Sequence, residues 1–179
     1  MLIFRQQKDA ESIAIADLFT AVFTESEDSA AGHLIGQLAR DLLADAGHEP
    51  IYCFVAEAEA QLVGAIFFSR LCFPDRASVF ILAPVAVATS HQGKGIGQHL
   101  IGHGLDAMRE LGVQVALTYG DPAFYVKVGF QAIAPALVPP PFTLTQPEGW
   151  LGQSLDQSPV PQLQAPSTCV PALNNPAYW

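Results

Sequence analysis

Apolar positions change their spacing several times along the chain, and each change marks an element. Residues 2–5 read as a short strand, after which Asp9 is placed to cap a helix carrying Ile15, Leu18, Phe19, Val22 and Phe23 at helical spacing. Glu25-Ser26-Glu27-Asp28 breaks the pattern, and Ser29 is placed to cap a second helix with Leu34, Ile35, Leu38 and Leu42 on one face. Gly47 and Pro50 end it. Residues 51–56 and 62–71 are β-rich runs joined by the polar segment Glu57-Ala58-Glu59-Ala60-Gln61, which predicts a hairpin. Phe73-Pro74-Asp75-Arg76 turns the chain into a third strand, residues 79–87, nearly continuous in apolar side chains and so expected to be covered on both faces.

Residues 95–111 predict a helix with Leu100, Ile101, Leu105, Met108 and Leu111 inward and Gly112 as its stop. Residues 113–117 follow as a strand. Asp121 as cap and Pro122 at the first helical position open a short helix that closes at a left-handed Gly129, with Phe130 behind it. The order is β-α-α-β-β-β-α-β-α, an α/β (α+β) fold with a mixed central sheet and flanking helices. We expect one domain over residues 1–138 and a Pro-rich extension, residues 139–179, packed on it. Lys and Arg are missing from the extension while Pro139-Pro140-Pro141 and later prolines exclude long helices. Phe142, Leu144, Trp150, Leu163, Val170, Tyr178 and Trp179 are too apolar for a free linker, so an irregular packed segment with at most a short strand is expected.

At 179 residues, half of them hydrophobic, the chain has the length and composition of a single folded domain with a full core. The apolar stretch at residues 77–88 is about a dozen residues long and holds Pro84, which suits a buried strand and not a membrane span. Met1-Leu2-Ile3-Phe4-Arg5 lacks a basic segment ahead of a long apolar core, so a cytoplasmic protein is expected. The formal charge of −9 repels a phosphate backbone, which argues against nucleic acid. It also favours a cationic substrate, although an ordinary acidic surface carries the same charge. Cys53, Cys72 and Cys169 are far apart and form no C-x-x-C, and the five histidines lack a third ligand beside His99 and His103. No metal site is expected.

Chemistry is concentrated after the third β-rich strand, at Gln92-Gly93-Lys94-Gly95-Ile96-Gly97. A glycine-rich turn between strand and helix points backbone N–H groups into one concavity at the positive end of the helix dipole, which suits phosphate. A nucleoside-triphosphate loop requires Ser or Thr after its Gly-Lys, and Gly95 stands there. The dinucleotide fingerprint fails too, because Gln98 or Leu100 falls where its last glycine belongs. Ser90 has no nucleophile-elbow context.

What remains is Q-x-x-G-x-G, and with Phe124-Tyr125-Val126-Lys127-Val128-Gly129-Phe130 further along, the chain resembles the GNAT superfamily of acetyl-CoA-dependent N-acetyltransferases over roughly residues 1–135. Gly120-Asp121-Pro122 and the Pro-rich tail are most similar to the YhbS-like branch. The resemblance implies that the N–H groups of Gln92, Gly93, Lys94, Gly95, Ile96 and Gly97, with Gln98, hold the pyrophosphate of CoA, and that Lys94 adds charge at the rim. It implies that Val85, Ala86 and Val87 bind pantetheine along the strand, beside a break that Pro84 marks by removing a donor. It implies further that the Val85 N–H is the donor to the thioester carbonyl and that Tyr125, as a phenol of ordinary pKa, is the acid for the departing thiolate. The base is open. Glu27 is its carboxylate candidate, with Glu25 and Asp28 beside it between the first two helices, Glu57 at the end of a strand, and a water-mediated route preferred.

The expected function is transfer of an acetyl group to a primary amine, small or peptide, by direct attack in a ternary complex. A non-catalytic CoA-binding sensor is the alternative, motivated by a third strand without Asp or Glu. The family leaves the oligomeric state open between monomer and its frequent homodimer. Many members carry Asn where this chain has Thr118-Tyr119-Gly120-Asp121.

Overall fold

In the computed structural model, which describes residues 1–179, strand β1 (Leu2–Gln6) leads into helix α1 (Ser12–Ser26) through a single 3-10 turn at Asp9–Glu11. Helix α1 therefore starts later than a cap at Asp9 would give. The turn is capped by the Glu11 carboxylate, which accepts the Lys8 N–H at 2.7 Å. Helix α2 (Ser29–Ala44) is capped by Asp28 and not by Ser29, because the Asp28 carboxylate reaches the Ala31 N–H at 2.8 Å. The strands are β2 (Ile51–Ala58), β3 (Gln61–Leu71), β4 (Val79–Val87), β5 (Val115–Tyr119), β6 (Gln131–Ala132) and β7 (Trp150–Ser154). Helix α3 (Ile96–Glu110) and the one-turn α4 (Pro122–Tyr125) complete the set. Strand order is β1-β2-β3-β4-β5-β7-β6, a mixed α/β sheet in which β4 and β5 are parallel, while β1 with β2, β5 with β7, and β6 with β7 are antiparallel.

Backbone proximity divides the chain into two compact units, Met1–Phe67 with Pro84–Gly104, and Phe68–Ala83 with Leu105–Trp179. In the first, β2 and β3 are joined by two residues, Glu59 and Ala60, at φ 50° and 62°. That is the mirror-image turn that matches strand twist, built here without the usual Asn-Gly. Alternation along β3 sends Gly64 toward Leu100 of α3 and Phe67 toward Phe19 of α1. The two helices therefore lie on opposite faces of this strand. Helices α1 and α2 approach closely because Gly32 and Gly36 carry no side chain: a Cβ on Gly36 would fall 1.9 Å from the Thr20 hydroxyl, and one on Gly32 1.8 Å from that of Thr24. Leu38 and Leu42 are buried as expected, but Leu34 is exposed, since the glycine stripe and not Leu34 makes this contact.

In the second unit, Gly112 (φ 76°) ends α3 in a Schellman turn, the Val113 N–H donating to the Met108 carbonyl at 3.0 Å. Val113 is consumed by this cap, so β5 begins at Val115, two residues after the expected start, and Leu111 lies on the surface. Strand β7 pairs with β5 from Val115↔Ser154 to Tyr119↔Trp150, and β6 pairs only with β7. The tail thus supplies an internal strand. Trp150 is fully buried, its indole N–H donating to the Val138 carbonyl at 2.9 Å, and its ring meets Trp179 at 6.1 Å.

Candidate active site

The loop of the first unit is built by its flanks. Strand β4 ends at Val87, the Ala88 N–H closes onto the Val63 carbonyl at 2.8 Å, and a 3-10 turn at Thr89–His91 swings the chain out. Gln92 ties loop to strand, its side-chain amide donating to the Val87 carbonyl at 2.9 Å. Gly93 and Gly95 then take φ 72° and 76°, left-handed values that favour glycine, and helix α3 starts at Ile96. The His99 N–H donates to the Gly95 carbonyl at 3.1 Å, the first bond of the helix. The N–H groups of residues 95–98 consequently have no acceptor along the helix and point out of its positive end. Gln92, Gly93 and Lys94 are exposed, and nothing lies within 4 Å of a Cβ built on Gly93. An open cradle of N–H donors at a helix start fits a diphosphate. The Lys94 ammonium donates to the Ser90 carbonyl at 3.0 Å.

Thr89, which no sequence motif singles out, donates its hydroxyl to the Glu25 carboxylate at the end of α1. Glu25 is therefore engaged. Glu27, at the C-cap of α1, is exposed, and its N–H donates to the Phe23 carbonyl. Along β4, residues 79–82 are buried and exposure then alternates: Ala83, Val85 and Val87 are half-exposed, Pro84 and Ala86 buried. Pairing with β5 runs from Val79↔Val115 to Leu82↔Thr118, and β4 continues beyond that rung through Pro84 to Val87. Pro84 does not interrupt the strand. It falls just past the last paired residue, where a missing N–H costs no rung to β5.

Tyr125 belongs to the second unit. Asp121 caps its helix by accepting the Ala123 N–H at 2.9 Å, with Pro122 next, and Gly129 at φ 93° ends the following 3-10 turn as the sequence predicts. The Tyr125 ring is held edge-on by Phe124 at 5.0 Å and Phe130 at 5.8 Å, and the Phe130 N–H closes onto the Tyr125 carbonyl at 3.2 Å. Burial pushes its phenol above the ordinary value; a Thr118 hydrogen bond pulls partly back and the Asp121 charge pushes further up. The expectation of an unperturbed phenol is thereby corrected.

Other chemistry is sparse. Burial pushes the Cys53 thiol up, which leaves it protonated and inert. His103 sits among Phe4 and Phe54, and no group of three or more His, Cys, Asp or Glu residues is placed to hold a metal ion. No helix is long and apolar enough to cross a membrane.

A glycine loop opening a helix, directly after a strand that outruns its parallel neighbour, is the layout of an acetyltransferase of the GNAT class. Residues 49–132 match the family model of the acetyltransferase (GNAT) domain. The uncharacterised N-acetyltransferase YjhQ of Escherichia coli is 33% identical over 129 residues, covering 69% of this chain and 71% of the relative. YhbS of the same species is 31% identical over 99 residues, 55% of this chain and 59% of that one. Among solved structures, YhbS in complex with CoA superposes with a TM-score of 0.74 at 24% identity, covering 86% of this chain and 81% of that one. A GNAT acetyltransferase of Brucella melitensis in complex with acetyl-CoA gives 0.72 at 23%, covering 93% and 96%. The chain belongs to the GNAT family of N-acetyltransferases, enzymes that transfer an acetyl group from acetyl-CoA to an amine.

Proposed function

We propose that this enzyme passes the acetyl group to a primary amine by direct attack in a ternary complex, with no covalent enzyme intermediate. One observation carries the donor half of this reading. Gly95, Ile96, Gly97 and Gln98 open α3 with N–H groups that no helical carbonyl accepts, Gly93 and Lys94 lead into them, and Gln92 anchors the loop. These residues hold the CoA pyrophosphate. The relatives solved with CoA and acetyl-CoA support the assignment. When bound, acetyl-CoA supplies an activated thioester carbonyl.

Val85, Ala86 and Val87 lie on the stretch of β4 beyond its pairing with β5, and they offer backbone groups to the pantetheine arm as an added strand would. The Val85 N–H polarises the thioester carbonyl. Tyr125 gives its proton to the departing sulfur, and a phenol kept neutral by burial holds that proton at working pH. Deprotonation of the amine runs through water, with Glu27 as its carboxylate; Glu25 is engaged by Thr89. The acceptor is a small-molecule or peptide amine, which the net charge of −9 favours in its cationic form.

Thiol release from acetyl-CoA, followed across a panel of polyamines, amino acids, aminoglycosides and peptides, tests the whole. We expect turnover with at least one amine and a rate lowered about 10²-fold by Tyr125→Phe. Tight acetyl-CoA binding without turnover on any amine overturns the catalytic reading in favour of a sensor, and an unchanged rate in Tyr125→Phe removes the acid.

A further inference from the structure

We propose that Gly120 is a positioning residue for Tyr125, and that Gly149 of the Pro-rich segment backs it. The inference rests on the acid role given to Tyr125 above. Gly120 follows β5 directly, and its φ lies outside the left-handed range, so conformational freedom does not explain a glycine here. Space does. A Cβ on Gly120 would fall 2.7 Å from Cε2 and 3.5 Å from Cδ2 of Tyr125. The ring lies directly on the Gly120 backbone, a seat that any side chain would fill.

Behind that seat the chain is braced from the tail. The Gly120 N–H donates to the Gly149 carbonyl at 3.0 Å, and a Cβ on Gly149 would fall 2.9 Å from the Gly120 carbonyl oxygen. The same Cβ position lies 3.3 Å from the Tyr119 ring. Tyr119 is fixed in turn: its hydroxyl accepts the Gln146 N–H at 2.8 Å and shares a hydrogen bond with Thr145 at 3.1 Å. A Cβ on Gly120 would meet the Tyr125 ring, and one on Gly149 would meet both the Gly120 carbonyl and the Tyr119 ring, so neither glycine can gain a methyl group without displacing a ring or the other backbone.

A methyl group on Gly120 displaces the Tyr125 ring by about 1 Å, which at a reacting group is enough to cost on the order of a hundredfold in rate. The substituted enzyme keeps its pyrophosphate loop, so the effect falls on kcat while KM for acetyl-CoA stays within about twofold. Two arms test this on the enzyme as it stands. In the kinetic arm, Gly120→Ala lowers kcat about as far as Tyr125→Phe, the double substitution is no slower than either alone, and Gly149→Ala lowers kcat in the same direction. In the stability arm, Gly120→Ala lowers the unfolding midpoint of the natural enzyme but not that of Tyr125→Ala, where the ring is gone. This arm needs no acceptor, and it decides the case even where Gly120→Ala folds poorly, because removal of the ring then restores folding. If Tyr125→Phe alone leaves the rate unchanged, the acid role has failed. If Tyr125→Phe slows the enzyme while Gly120→Ala does not, or if Gly120→Ala destabilises both backgrounds equally, the positioning role has failed and the acid stands.

Discussion

The Thr118 hydroxyl donates to the Leu82 carbonyl at 2.8 Å, and these two residues also form the last rung of the β4–β5 pairing. A side chain thus fastens the two parallel strands at the rung where their ladder stops. Thr118 is fully buried and is also the one group that holds the Tyr125 phenol down. Thr118→Val keeps the shape and removes the donor. It should destabilise the protein by about 1–2 kcal/mol, because the Leu82 carbonyl is left without that partner. Denaturant unfolding with an unchanged m-value checks it.

Spectrophotometric titration should find one phenol ionising above the ordinary value near 10, and Tyr125→Phe should remove it. Because the folded pKa is raised, the stability that follows from it is fully present below the unfolded value and is lost as pH rises through the folded one. The midpoint of thermal unfolding should therefore fall on the alkaline side more steeply in the natural enzyme than in Tyr125→Phe. Equal slopes would show that the ring is hydrated.

At acid pH the sign reverses and a different cluster controls it. Arg5 donates to Glu11 and to Glu57, each at 2.6 Å, and the Arg5 hydrogen bond holds the Glu11 carboxyl below its usual range. Stability from Glu11 is present above its unfolded pKa and lost as pH falls through the folded value. Glu11→Gln should flatten the dependence of the unfolding midpoint on pH below about 4.3, with no change in slope near neutrality.

The β2–β3 turn stores strain that two substitutions relieve. Glu59 and Ala60 both occupy left-handed backbone, which side chains rarely adopt. Ala60→Gly, alone or with Glu59→Asn, should stabilise the enzyme by about 1 kcal/mol. Chemical denaturation with an unchanged m-value is the measurement.

Gly93→Ala isolates backbone geometry at the loop, since its Cβ would touch nothing while its φ is 72°. We expect a stability cost of about 1 kcal/mol and a KM for acetyl-CoA raised roughly tenfold as the loop N–H groups turn away, with kcat little altered. An unchanged KM would remove Gly93 from the pyrophosphate site.

What the sequence makes legible here is local. Asp121, Pro122 and Gly129 each act within one turn, so their residue types alone specify the short helix that carries Tyr125. The glycine loop is legible for the same reason, and so is the hairpin after β2. Partners outside each segment decide what was missed. Val113 has the apolar character of a strand residue, yet its N–H goes to Met108, which moves the start of β5. Gly32 and Gly36 look like poor helix formers until Thr20 and Thr24 of α1 are seen against them. Trp150–Ser154 carries too little alternation to announce a strand, and it becomes one because β5 and β6 stand on either side of it.

That last arrangement sets a sequence of events in time. Strand β7 lies between β5 and β6 in the sheet, but a ribosome makes it after both. A nascent chain that has reached residue 140 therefore has both β5 and β6, the flanks of the Tyr125 helix, but not the strand that joins them in the sheet. The sheet on either side of Tyr125 can close only when residues 150–154 have been made.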